Sequence, residues 1–261
     1  MSESDGIALH HKRTGDGPRL LFCNGSGTTV DSSRPLLEKL SAGFELLAFD
    51  YRGMGRSAPV TDPYAMADIA TDVAALLDEV GWETTALAGL SFGGMVAQEF
   101  AVTYPDRVDR LALLATSPGG AFASYPLEEL ADLPPLKRGL RSLNLADRRW
   151  TAEWFEAHPE DGALVATLAA DVPAEETAEQ ARGRLLQLEA RAGHDVLDRL
   201  HQVTCPTFVG SGRYDDIAPV ANGQAIVDRV SNATLHVYDS GHLFLLQDPG
   251  AWPEVAAFLR S

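Results

Sequence analysis

Cysteine is scarce in this chain, two in 261 residues, which excludes a disulfide framework as the source of its stability. Cys23 and Cys205 stand where buried strands are expected to end and begin, a pattern that reads as two reduced core thiols and a cytoplasmic setting. No apolar run reaches the roughly 18 residues needed to cross a bilayer. The first residues, Met1 to Gly6, are acidic and lack the apolar stretch of a secretory leader. No membrane partner is therefore expected. Basic residues are also few: 21 Lys and Arg stand against 37 Asp and Glu, a formal charge of −16. Such a surface repels nucleic acid and anionic lipid, and its plain meaning is solubility. There is no Walker loop, no complete G-x-G-x-x-G after a strand and no metal-ligand spacing. No cofactor or metal is expected.

What the chain does have is length and apolar content, 45% hydrophobic residues, enough for a full core. Its pattern alternates strand and helix. Ile7 to Arg13 and Leu20 to Cys23 read as a hairpin around the turn-forming cluster at 14–18. A short helix over 35–40, a strand over 45–49 and a helix from Met66 to Val80 capped by Gly81 follow. Next come strand 84–88, helix 93–103 and strand 108–115. From Tyr125 to about Leu200 the strands stop, leaving helix-like stretches at 127–131, 135–144, 151–157, 162–170 and 174–200. The alternation resumes with strand 205–209, helix 217–229, strand 234–238 and helix 252–260. Such alternation predicts a mostly parallel sheet covered on both faces. The expected organisation is a core of 1–117 and 202–261 with a helical lid inserted at 118–201.

The most telling motif is Gly89-Leu90-Ser91-Phe92-Gly93, set between a predicted strand and a predicted helix. It reads as a nucleophile elbow, which holds a serine hydroxyl above the sheet on a strained turn. Any Cβ at Gly89 or Gly93 would crowd the crossing strand and helix. A serine nucleophile needs a base, and the base needs an orienting acid. Asp215 and Asp216 directly follow one predicted strand, and Ser240-Gly241-His242 follows another. Loops leaving the carboxyl edge of a parallel sheet are where active sites form.

With Asp50-Tyr51-Arg52-Gly53-Met54-Gly55-Arg56-Ser57 added, the chain resembles the α/β-hydrolase superfamily over nearly its whole length, in its serine-nucleophile branch. The layout is similar to 3-oxoadipate enol-lactonases and cofactor-free haloperoxidase-like esterases. The resemblance implies an α/β fold with a mostly parallel, eight-stranded-type sheet, helices on both faces and a helical lid. It implies Ser91 as nucleophile, His242 as base and Asp215 as the acid. Asp216 is the rival, and family spacing favours Asp215; the other carboxylate would cap the helix near Pro219. The oxyanion hole would combine the backbone N–H of Phe92 with that of Ser26 in the loop 24–29. There the chain has Asn24-Gly25 where His-Gly is commoner, so the bracing of this loop differs from the usual one.

Other residues invite plainer readings. Asp50 and Arg52 read as a turn held by an internal ion pair. His10, His11 and His236 read as structural, while His158, His194 and His201 are weaker candidates for the base. Arg148, Arg149, Trp150, Trp154 and Phe155 form a basic-aromatic run of the kind that is half core and half solvated face. Trp150, Trp154 and Arg149 are candidate substrate contacts, since an arginine there could grip a carboxylate bidentately. The expected function is cofactor-free hydrolysis of a small carboxylic ester or lactone through an acyl-enzyme. The alternatives are a ligand receptor of the same fold that does not turn over, or a methylesterase or carbon–carbon hydrolase acting on a larger metabolite. Substrate identity and oligomeric state are not written in the sequence.

Overall fold

The computed structural model describes residues 7–130, 133–170 and 177–261. Seven strands form one sheet: β1 (His11–Thr14), β2 (Arg19–Cys23), β3 (Glu45–Phe49), β4 (Thr85–Leu90), β5 (Val108–Leu114), β6 (Thr207–Gly212) and β7 (Ala233–Tyr238). Their order is β1-β3-β2-β4-β5-β6-β7, and every pairing is parallel except β1 with β3. Among the described residues the sheet has one strand fewer than the eight-stranded type.

Period-two alternation divides the core. Leu21, Cys23, Leu47, Phe49 and Leu87 face one side, packed with α2 (Met66–Glu79), α3 (Phe92–Thr103) and Ile226 of α8 (Val220–Val227). Leu20, Phe22, Leu46, Ala48 and Ala86 face the other, covered by α1 (Arg34–Leu40) and α10 (Ala251–Arg260). Both faces are buried, so the central strands read as continuous apolar runs. Cys23 and Cys205 are both free and buried. Among the described residues no helix is long and apolar enough to cross a membrane.

The expected hairpin does not form: β1 and β2 lie on opposite sides of β3. Leu46 to Phe49 are at most 2% exposed and belong in the sheet interior, whereas His-Lys-Arg-Thr of β1 is half exposed and takes the edge. The turn between them serves as a crossing, with Gly15 and Gly17 at φ 79° and 135° against the backbone of Ser41 to Phe44. The expected Asp50–Arg52 ion pair is also absent. Asp50 accepts the N–H groups of Val30 (2.6 Å) and Arg56 (2.9 Å), while Arg52 donates to Asp72 on α2 at 2.6 and 2.8 Å. Backbone donors, one from the segment after β2 and one within the turn, claim the Asp50 oxygens, and Arg52 pairs with the buried carboxylate across from it.

Between β5 and β6 the chain is helical: a 3-10 turn (Leu127–Leu130), α4 (Pro135–Ala146), α5 (Ala152–Ala157), α6 (Pro159–Ala170) and α7 (Ala178–Ala192). The single helix expected over 174–200 is broken, and 174–176 lie outside the described residues. Gly193 to Val196 leave the helix because Val196 N–H donates to Pro118 O and the His194 backbone meets Gly119; a 3-10 turn then runs Leu197–Gln202. The helix expected from 217 starts at Val220, since Asp215 Oδ1 takes the N–H groups of Ile217 and Ala218. A one-turn helix, α9 (Phe244–Gln247), had no signal of its own.

The packing leaves no room at Gly93, where an added Cβ would overlap Cys23 O on the neighbouring strand. Backbone cannot yield as a side-chain tip can, so Gly93→Ala should lower stability by about 3 kcal/mol, the upper end for overpacking. Urea denaturation followed by circular dichroism measures it, and a loss under about 1 kcal/mol would contradict this packing.

Candidate active site

One residue, Ser91, separates β4 from α3. So abrupt a reversal gives Ser91 φ 54° and ψ −117°, a conformation costly for any residue with a Cβ. The surroundings hold it there. Ser91 N–H donates to Leu114 O (2.8 Å), and Ser91 O accepts from Thr116 Oγ1 (2.7 Å) and from Gly94 N–H (2.9 Å). The flanking glycines are required, because a Cβ on Gly89 would overlap Gly93 O. Ser91 itself is 9% exposed.

The loop after β6 carries Asp215, 1% exposed, and the loop after β7 carries His242, 7% exposed. They meet: His242 Nδ1–H donates to Asp215 Oδ2 at 2.7 Å. Because a carboxylate only accepts, this bond sets the tautomer and leaves Nε2 as a base. Asp215 Oδ1 is held by two backbone N–H groups, Ile217 (2.8 Å) and Ala218 (2.9 Å), so the carboxylate cannot swing away. Asp216 points elsewhere. It is half-buried, pairs with Arg148 at 3.2 Å and caps no helix. No hydrogen bond joins Ser91 Oγ to His242 among the described residues; such bonds commonly tighten only in the substrate complex.

The loop after β2 lies beside the elbow, since a Cβ on Gly25 would sit 3.9 Å from Ser91 Cβ. Among the described residues neither Phe92 N–H nor Ser26 N–H has an acceptor within the protein. Bonds that brace this loop include Tyr51 OH to Asn24 O (2.9 Å), Thr28 Oγ1 to Gly25 O (2.8 Å) and Gly27 N–H to Gln187 Oε1 (2.7 Å).

Gln187 is one residue that sequence reasoning missed. Its signal was a polar side chain on the buried stripe of α7, with Gly183, Leu186 and Ala190. Asp147 is another. Fully buried, it binds Arg149 (2.6 and 2.9 Å) and Gln247 (2.9 Å), while His242 N–H donates to the adjacent Ala146 O (2.6 Å). Nothing local in sequence joins position 147 to position 242.

The expected substrate contacts are engaged with one another. Trp150 and Trp154 both donate to Asp161, at 3.1 and 2.7 Å, and Arg149 stacks on Trp154 and Tyr214 while bound to Asp147. The other histidines lie apart from the His242–Asp215 pair. His236 stacks on Phe208 and pairs with Glu254, His158 stacks on Trp154, His201 contacts Asp198 O, and His194 is buried. No cluster of metal-binding side chains occurs among the described residues.

Residues 18–249 match the family described as alpha/beta hydrolase fold. The chain belongs to this family. Among similar proteins, a poly(3-hydroxyalkanoate) depolymerase from Ectopseudomonas oleovorans is 31% identical over 87% of this chain and 78% of its own. 3-Oxoadipate enol-lactonase 2 from Acinetobacter baylyi is 29% identical over 94% and 90% of the two chains. A thermophilic esterase from Thermogutta terrifontis superposes with a TM-score of 0.79 at 25% identity, covering 99% of this chain and 95% of that one. These alpha/beta hydrolases share hydrolysis.

One group near the site gives a pH signature. Burial pushes His194 down to about 4, so it stays neutral in the folded protein where an unfolded histidine would be protonated. The unfolded state binds the extra proton between about pH 6.5 and 4, so stability falls as pH drops through that window, by about 3 kcal/mol in all. His194→Gln should flatten this segment of the stability–pH curve, measured by urea denaturation at stepped pH; an unchanged slope would contradict the assignment.

Proposed function

We propose that this protein is a cytoplasmic serine hydrolase that cleaves small carboxylic esters or lactones through an acyl-enzyme. The observation that carries the reading is the buried Asp215–His242 bond, made on the same sheet edge that holds Ser91 in its strained turn. His242 Nε2 takes the Ser91 proton as Oγ attacks the substrate carbonyl, and Asp215 stabilises the imidazolium that results. The free N–H groups of Phe92 and Ser26 receive the oxyanion. His242 then protonates the leaving oxygen, and water activated on the same ring releases the acid. For a lactone, the leaving alcohol stays tethered in the product.

The similar proteins support acyl–oxygen cleavage, two of them being named as a lactonase and an esterase. Residues 118–201 act as the lid in this reading, because α7 braces the Ser26 loop through Gln187 and the end of α4 braces the His242 loop.

Short p-nitrophenyl esters followed beyond one enzyme equivalent test the proposal. The expected result is steady turnover that is abolished in Ser91→Ala. A single burst that stalls would favour a receptor instead. Asp215→Asn should lower kcat by about 10³- to 10⁴-fold through loss of the tautomer, and Asp216→Asn by less than about threefold because its ion pair is exposed. The reverse ranking would overturn the acid assignment. Gln187→Met should cost about tenfold in kcat with KM little changed, because it loosens an oxyanion donor without removing it.

A further inference from the structure

Arg191, at the end of α7, is 5% exposed. Its Nη2 donates to Ser124 Oγ (2.7 Å) and Tyr125 O (2.9 Å), but Nε is buried without a partner. No carboxylate among the described residues forms an ion pair with it. Glu128, exposed on the rim, acts on the guanidinium only at longer range, and burial pulls Arg191 below the ordinary arginine range. A buried cation without an anion is a costly arrangement that folded proteins seldom keep without a use.

This arginine lines a cavity of about 100 Å³ with Met95, Ser117, Ser124, Glu128 and His194, room for more than the roughly 30 Å³ of a single water. Ser117 Oγ is buried and unpartnered. Both ring nitrogens of His194 lack a hydrogen bond of ordinary geometry, although the ring sits by the Ser117 backbone. Among the described residues nothing satisfies the Arg191 Nε–H or the Ser117 hydroxyl on this wall. Its position ties it to the nucleophile. Met95 is one helical turn beyond Ser91, ~6 Å along the axis, and Ser117 follows the Thr116 that holds Ser91 O.

We infer that this cavity is a carboxylate site, and that the ester or lactone cleaved at Ser91 carries a second, free carboxylate bound there by Arg191 and Ser117. The inference deepens the proposed function and rests on it for the reaction, though not for the anion site. A half-ester of a short dicarboxylic acid fits: its acyl carbon is at Ser91, and its far end replaces the missing counter-ion. Such a preference makes the arginine on α7 the residue that selects the substrate. Arg148 and Arg149 cannot do so, being held by Asp216 and Asp147.

Two measurements test this. Calorimetric titration of Ser91→Ala with glutarate should show binding that weakens about 10- to 100-fold in Ser91→Ala/Arg191→Met, as for a lost charge-assisted bond. In protein retaining Ser91, Arg191→Met should lower kcat/KM for mono-p-nitrophenyl glutarate relative to p-nitrophenyl pentanoate by a similar factor, with Arg191→Lys intermediate. If Arg191→Met does not fold, glutarate against uncharged glutaramide on Ser91→Ala decides, with glutarate expected to bind at least about tenfold tighter. No glutarate binding, equal affinity for the two, or an unchanged substrate ratio overturns the inference. Arginine-dependent glutarate binding with no Ser91-dependent turnover of either ester supports the anion site and overturns the proposed reaction.

Discussion

Everything at this site depends on the one-residue reversal from β4 into α3. A chain that leaves a parallel strand and enters a helix across a single residue must give that residue a positive φ. It must also bring helix and strand so close that only glycine fits at 89 and 93. The strain is offset by hydrogen bonds to Leu114 O at the end of β5 and from Thr116 Oγ1 just beyond it, so the β5 end helps hold Ser91 as β4 presents it. The same closeness sets Gly93 against Cys23 O and so seats the loop after β2 beside Ser91.

The helical segment between β5 and β6 is bound to both loops that serve the serine. Gln187 of α7 accepts from Gly27, and Ala146 at the end of α4 accepts from His242 N–H. A third tie runs to α3, where Arg199 forms a bidentate pair with buried Glu99 at 2.9 and 2.7 Å. Buried polar bonds of this kind do little for net stability but fix geometry, because each partner left alone would be a desolvated orphan. Movement of these helices would therefore be felt at the loops carrying Ser26 and His242.

Most of the fold was legible because its signals are local. Glu45 to Phe49 could be read as a strand from five residues, and Met66 to Val80 as a helix from its apolar period and Gly81. The Ser91 turn could be read from its glycines and from the change of periodicity across it. The readings that failed depended on partners elsewhere in the chain. The 7–23 stretch looks like a hairpin because two strands flank a turn, and nothing local says that β3 will insert between them. Asp50 and Arg52 are adjacent in the motif, yet each is claimed by a partner from another element.

By itself the sequence determined the alternation of elements, the strained serine turn and a short choice of acid and base, since each is encoded by residues a few positions apart. Only the tertiary structure shows which of Asp215 and Asp216 meets His242, because that depends on which carboxylate the β6 loop aims at a histidine 27 residues on. It likewise drew Gln187 across 160 positions to Gly27 and left Arg191 buried without a counter-ion among the described residues. The physical reason is the same each time. Periodicity records which face of an element is buried, whereas the partner a buried polar group meets is settled when the elements pack.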